Sequence, residues 1–322
     1  MILHVFSDDF LKNIFKHIIL YYMKMLYNSI MSFDKLWSKD NELNFFKYCE
    51  NFASPEKLFY VTDENRYLAY WPKDYTGKKS TLQSRNSLIG NYTEKWTTDL
   101  INSLIKDEGL FAVQGVQCSE IGLNNRSLAD VVISTKNKTN LKPDEIKLIF
   151  EVKMSLVWNW ELNFNTNSID EIGDYKTHYG NPSLLRSDSM LKAIGKCINI
   201  RVSNYQSAKI PLIVIGNAPI AKSYFSKVDH LKNAGVIQGF WSVNPKPLNN
   251  EDTLKSTPKG GFTCFDNTIA LKNAIDELID SDLNFFSSMK SKEEIGMMIE
   301  AANMKATYEE KGCEFLRLLN GD

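Results

Sequence analysis

Leu128-Ala129-Asp130-Val131-Val132-Ile133, a polar turn, and then Lys147-Leu148-Ile149-Phe150-Glu151-Val152-Lys153-Met154-Ser155-Leu156-Val157 is the stretch that decides the fold. Alternate residues of an extended strand share a face. Leu148, Phe150, Val152, Met154 and Leu156 are therefore expected to point one way, while Glu151 and Lys153 point the other beside Ile149 and Ser155. One face is then core, and the other is free to carry chemistry. The earlier run holds a single acid, Asp130, and the Asn/Lys/Thr-rich residues from Thr135 to Pro143 are turn material, so the two runs predict a hairpin. Pairing brings Asp130 beside Glu151. Two carboxylates on one sheet face repel less with a divalent cation between them, and hard Mg2+ prefers oxygen ligands and is commonly held by one or two carboxylates.

The same residues carry a resemblance. Ala129-Asp130, a hairpin, and then Glu151-Val152-Lys153 resembles the PD-(D/E)XK signature of the restriction-endonuclease-like nucleases, with Ala129 where the name-giving proline would stand. Acid-x-Lys triplets also occur at Glu145-Ile146-Lys147, Asp174-Tyr175-Lys176 and Glu309-Glu310-Lys311. Only the triplet at Glu151 lies inside an apolar run with an apolar opposite face. A literal Pro-Asp, Pro143-Asp144, stands seven residues before Glu151 and abuts the same strand, which leaves no room for a hairpin between them; it reads as a decoy.

The resemblance implies an α/β protein with a restriction-endonuclease-like core, a mixed central β-sheet flanked by helices, over residues 90–243. Residues 1–89 would be an N-terminal helical and hairpin extension, 157–187 a recognition insertion, and 244–322 a C-terminal loop with helical additions. The implied cofactor is Mg2+, held by Asp130, Glu151 and the backbone carbonyl of Val152. Lys153 would orient or help deprotonate the attacking water, or neutralise the phosphate. In many relatives an acid on the helix before the sheet supports the metal, and Glu94 stands there; as a first-turn glutamate it equally suits the helix dipole. The implied activity is that of a type II restriction endonuclease, a homodimer acting on double-stranded DNA and paired with a DNA methyltransferase. A repair or recombination nuclease of the same fold and a non-cleaving DNA-binding module are the alternatives.

Composition sets outer bounds. The 322 residues, 43% of them hydrophobic, suffice for one large or two ordinary domains with a sizeable core. A net charge of −1 disfavours a chain that coats nucleic acid nonspecifically, while leaving room for a local basic cleft. The five cysteines, Cys49, Cys118, Cys197, Cys264 and Cys313, are widely spaced and form no CxxC, so they predict buried thiols in a reducing cytoplasm and not a disulfide framework or zinc site. The four histidines form no HExxH pair. Residues 1–30 are apolar but carry Asp8, Asp9, Lys12, Lys16, His17 and Lys24, so no window reaches the roughly 18 charge-free residues of a membrane span. They read as an amphipathic appendage, or as an over-long reading of the gene, before a natural start at Met31-Ser32-Phe33-Asp34.

Along the rest of the chain, Lys57 to Trp71 predicts a hairpin turning at Asp63-Glu64-Asn65, after a loosely helical Phe33–Phe52. Lys73 to Ser87 is a basic loop. Its Gly77-Lys78 lacks the glycine of a phosphate-cradling loop, because Pro72 stands there. Lys78, Lys79 and Arg85 from this loop, with Lys255 and Lys259 from the loop at 244–262, are candidate phosphate contacts. Trp96, Leu100, Ile101, Leu104 and Ile105 predict a helix over Asn91–Asp107, stopped by Gly109. Leu110–Ser119 predicts a strand. Residues 157–187 predict an irregular excursion, with Trp158, Trp160, Tyr175, His178 and Tyr179 among many asparagines. Ser187-Asp188 would cap a helix facing inward through Leu191, Ile194 and Ile198. Strands at Ile210–Ile215 and Val236–Val243 around a helix at Pro219–Asn233 imply a parallel pair. Asp266-Asn267-Thr268 would cap a further helix through Ile279, with more helix from Glu293 to Leu319.

Overall fold

The structure, a computed structural model, describes residues 35–281, 283 and 290–321, so the expectations for residues 1–30 and the start at Met31 lie outside it. Helix α1 (Lys39–Cys49) buries Glu42, Phe45, Phe46 and Cys49. One helical turn, α2 (Pro55–Leu58), leads into β1 (Tyr60–Val61) and β2 (Tyr67–Leu68), an antiparallel pair. Their connection passes through Asn65 at φ 59°, the left-handed conformation Asn tolerates, as the acidic turn predicts.

Helix α3 spans Gln83–Ile105 and buries Ile89, Tyr92, Trp96, Leu100, Ile101 and Ile105, one stripe at helical spacing. It starts eight residues earlier than its apolar pattern predicts, through Asn86 and Gly90, which are weak helix formers. Packing decides the matter there. Arg85 lies on the buried side and donates to the carbonyls of Leu58 (3.1 Å) and Ala69 (2.5 Å). Gly109, at φ 67°, then turns the chain into the sheet.

The central strands are β3 (Phe111–Val116), β4 (Ala129–Ser134) and β5 (Ile146–Lys153), and β4 pairs antiparallel with both neighbours. After β5 the chain forms β6 (Asn159–Asn163) and β7 (Ser168–Gly173), then helix α4 (Ser187–Ser203). Strand β8 (Leu212–Gly216), helix α5 (Phe225–Asn233), β9 (Gly239–Ser242) and β10 (Phe262–Cys264) complete the sheet. Helices α6 (Thr268–Asp280), α7 (Lys292–Asn303) and α8 (Tyr308–Asn320) follow, capped by the side chains of Asn267, Ser291 and Thr307.

The fold is α/β, with a mixed six-stranded sheet ordered β10-β9-β8-β5-β4-β3 and flanked by helices. From β5 to β10 the strands run parallel. Leu148, Phe150, Val152, Met154 and Leu156 share one apolar cluster with the buried residues of α1, α3 and α6, so the predicted face of β5 is core. The other face is not left open for chemistry. Ile149, Val132, Val214 and Phe240 lie in a second apolar cluster with Met190, Ala193, Cys197 and Ile200 of α4 and Val228 of α5. The sheet is therefore sandwiched, and the polar residues Asp130, Glu151 and Lys153 on that second face lie at the ends of β4 and β5.

Two expectations fail here. Residues 157–187 are not an irregular excursion: β6 and β7 pair antiparallel and join β2, making a second sheet ordered β1-β2-β6-β7. Trp158, Trp160 and His178 are buried, and His178 stacks on Tyr70 with ring centroids 4.0 Å apart. Helix α4 also faces inward through Met190, Ala193, Cys197 and Ile200, leaving Leu191 62% and Ile198 40% exposed. Both stripes fit a helical period, and only one meets the sheet.

Candidate active site

The hairpin register puts Val131 opposite Phe150, so the next residues outward, Asp130 and Glu151, lie side by side on the α4 face of the sheet. Asp130 is half-buried and Glu151 is 5% exposed. Asp130 Oδ2 accepts a hydrogen bond from the backbone N–H of Val152 at 2.8 Å, so the acid on β4 is aimed by the backbone of β5. Lys153 Nζ lies 2.5 Å from Glu151 Oε1, 3.1 Å from the carbonyl of Val152 and 3.7 Å from Asp130 Oδ2. The three residues of the motif thus meet at the C-terminal end of β5. They do not look into open water, as a free sheet face would require, because α4 covers them.

A fourth residue completes the cluster. Lys196, on α4, places Nζ 2.7 Å from Asp130 Oδ1 and 2.5 Å from Glu151 Oε2, bridging the two acids. Two ammonium groups therefore face two carboxylates. Burial and the neighbouring Asp130 push the Glu151 carboxyl upward, while Lys153 and Lys196 pull it back. Burial works against the charge on Lys196, yet Glu151 and Asp130 hold its ammonium above the ordinary lysine value. Lys196 is hidden from the sequence, because the Leu191-Ile194-Ile198 stripe predicts an orientation of α4 that turns it away from the sheet. At about 100° per residue it sits roughly 40° from the buried Ile200, and only the true orientation of α4 brings it inward.

Glu94 is partly buried on α3 and accepts from Gln114 Nε2 of β3 at 3.1 Å. Burial, with Asp130 nearby, pushes its carboxyl upward. It borders the pair without joining it: Glu94, Gly115, Arg126, Ser127, Asp130 and Lys196 line a concavity beside the acids. Gly115 lies across the ladder from Asp130 at φ 67°, a conformation that favours glycine.

The end of β5 is strapped from outside. Ser183, itself at φ 49°, donates from Oγ to the carbonyl of Lys153 and from its N–H to Ser155 Oγ at 2.7 Å, and its Oγ accepts from Asn217 N at 3.1 Å. Asn217 closes the buckle by accepting from Ser155 N and donating to the Ser155 carbonyl. The strap fits because Gly216, opposite Lys153, has no side chain; a Cβ there would meet Leu184 Cγ at 2.5 Å.

The basic candidates divide. Lys78 and Lys79 are exposed, and Lys79 lies 3.5 Å over the ring of Tyr179, on the segment that runs into the strap. Arg85 is buried and carbonyl-bound, which removes it as a phosphate contact. Lys255 pairs with Asp266, just beyond the end of β10. Lys259 precedes β10 at the opposite end of the parallel strands, where its N–H meets Asp229 of α5. Asp144 is exposed in a groove with Lys147, Tyr205 and Lys209 at the start of β5, roughly 20 Å of strand away from Glu151. It is not part of the site.

The donor set suits a hard divalent ion: two carboxylates converge on the position of Lys196 Nζ, and the carbonyl of Val152 meets Glu151 around Lys153 Nζ, all oxygen. Among the described residues, no group of three or more His, Cys, Asp or Glu side chains is placed to hold a metal, so Asp130 and Glu151 are a pair and Glu94 does not make a third. No helix among the described residues is long and apolar enough to cross a membrane. No family model, curated protein or solved structure matches the chain.

Proposed function

We propose that the chain is a Mg2+-dependent endodeoxyribonuclease of the PD-(D/E)XK type, and in particular a type II restriction endonuclease that cuts duplex DNA as a homodimer. The observation that carries this reading is the convergence of Asp130 and Glu151, from paired strands, on one cation position with Lys153 against them at a sheet end. The order of elements also supports a restriction-endonuclease-like core: a helix, antiparallel strands bearing the acids, then helix, strand, helix, strand in parallel register.

A bound Mg2+ would polarise the scissile phosphate and offset the charge that grows on it. Asp130 and Glu151 would hold that ion, with the Val152 carbonyl as a further oxygen. Lys153 orients the attacking water, or meets the charge of the phosphate, from a backbone held in place by Ser183 and Asn217. Lys78 and Lys79, exposed and close to the strap through the Lys79–Tyr179 contact, would contact a DNA backbone.

The test is digestion of unmethylated plasmid and phage DNA by the purified protein. Discrete fragments with Mg2+ and none with EDTA are expected. A smear points to a repair or degradative nuclease, and an absence of cutting across varied DNA overturns the enzymatic reading.

A further inference from the structure

We propose that Lys196 is the resident cation of this site: its ammonium holds Asp130 and Glu151 together in the metal-free protein and is exchanged out when a divalent ion enters. The inference rests on the nuclease reading of the two acids. It follows from where each carboxylate oxygen is engaged. Asp130 Oδ2 faces the N–H of Val152, and Glu151 Oε1 faces Lys153. One oxygen of each acid remains, Asp130 Oδ1 and Glu151 Oε2, and both converge on Lys196 Nζ at 2.7 and 2.5 Å. Those are the two carboxylate oxygens an incoming ion would take from the acids. Mg2+ binds carboxylate oxygens at about 2.0–2.1 Å, so it would fall within the volume that the ammonium fills, and the two cations cannot share it.

The lysine is built to move. Its helix is anchored by Ala193, Cys197 and Ile200, while its own side chain keeps 19% exposure and borders the concavity with Arg126 and Ser127. A four-carbon stem with a point charge can swing where a planar guanidinium held at two oxygens would not. Swung outward, the ammonium enters that concavity on the side of Arg126, where a DNA phosphate would receive it. Metal entry and phosphate binding are then linked through one side chain.

The experiment is Mn2+ binding without DNA, followed by calorimetry or by the Mn2+ paramagnetic signal, so that it does not depend on turnover. Lys196→Met is expected to bind Mn2+ at least about tenfold more tightly than the parent, about 1.4 kcal/mol, because the competitor is gone. Metal-free Lys196→Met should also melt lower than the parent and recover with Mn2+, since the acids lose their counter-charge. Lys192→Met, one turn earlier on α4 and 3.9 Å from Asp188, removes the same charge away from the acids and should leave Mn2+ affinity unchanged. Equal or weaker Mn2+ binding by Lys196→Met overturns the proposal; should that variant not fold, Lys196→Gln gives the same reading. A parent that cuts DNA with Mg2+ while Lys196→Met binds Mn2+ no more tightly sinks this inference alone. If neither parent nor variant binds Mn2+ and the parent does not cut, the metal reading falls with it.

Discussion

The backbone N–H of Val152 donates to Asp130 Oδ2 at 2.8 Å, so the strand that carries Glu151 also aims its partner acid. The two acids are thereby set by one hairpin register, and a variant that keeps the acceptor while losing the charge separates chemistry from architecture.

Asp130→Asn is that variant. It keeps an oxygen for the Val152 N–H, so stability should fall by no more than about 2 kcal/mol, while Mg2+-dependent cleavage drops at least about a hundredfold. Metal-free DNA binding should hold or tighten as negative charge leaves the phosphate path. Asp144→Ala, at the far end of β5, should cut like the parent. Thermal melts, gel-shift titrations and digestion rates check these outcomes together. Loss of cleavage in Asp144→Ala, with Asp130→Asn active, would move the site to Pro143-Asp144.

Arg85 and Lys78 are both cations of the basic segment 73–87, and they should respond oppositely. Arg85→Ala leaves the carbonyls of Leu58 and Ala69 without their buried donor, so it should lose about 2–4 kcal/mol of stability. Lys78→Ala should leave the melt unchanged and lower the salt slope of DNA binding by about one. An unaltered slope in both Lys78→Ala and Lys79→Ala would place the DNA path elsewhere.

Glu42 makes stability depend on pH. It accepts from Val157 N, Trp158 N and the indole nitrogens of Trp37 and Trp160, tying α1 to the second sheet. Burial, opposed by those donors, pushes its carboxyl from 4.5 up to about 8. Between those values the unfolded chain releases a proton that the native state retains, so the contribution is full below about 4.5 and is lost as pH rises through about 8, on the order of a few kcal/mol. The parent should therefore melt lower at about pH 8.5 than at about pH 5.5. Glu42→Gln cannot titrate and should show a smaller drop. It should start about 1–3 kcal/mol less stable, because its amide turns N–H toward N–H. Equal pH slopes in the two proteins would contradict this assignment.

Gly216→Ala tests the strap. The added Cβ meets Leu184 and Ser183 at contact distances no side chain tolerates, so residues 183–184 must shift. The backbone of Lys153 loses its Ser183 bond, and cleavage should fall about tenfold or more while DNA affinity changes little. Single-turnover rates alongside binding constants separate the two effects; unchanged cleavage would show that Lys153 needs no such support.

Much of the centre was legible from spacing alone. Period-two alternation in β5 and one acid in β4 sufficed to place Asp130 beside Glu151, because few antiparallel registers keep the apolar residues of both strands on the same, core side of the sheet. The Asp63-Glu64-Asn65 turn and the Asn267 cap were equally local, each a short polar group answering its own backbone. Lys196, the burial of Arg85 and the second sheet belong to tertiary structure. Helix α4 carries two apolar stripes, and nothing within its seventeen residues says which one the sheet will cover. The choice is made by Val132, Ile149 and Val214, strand residues distant in sequence whose surface Met190, Ala193 and Cys197 fit. Likewise β6 becomes ordered strand because β2, some ninety residues earlier, offers an open edge for its backbone groups. Local spacing tells which faces a segment could bury; the surface it meets, often far away in the chain, determines which face it does bury, and with it which lysine stands between the acids.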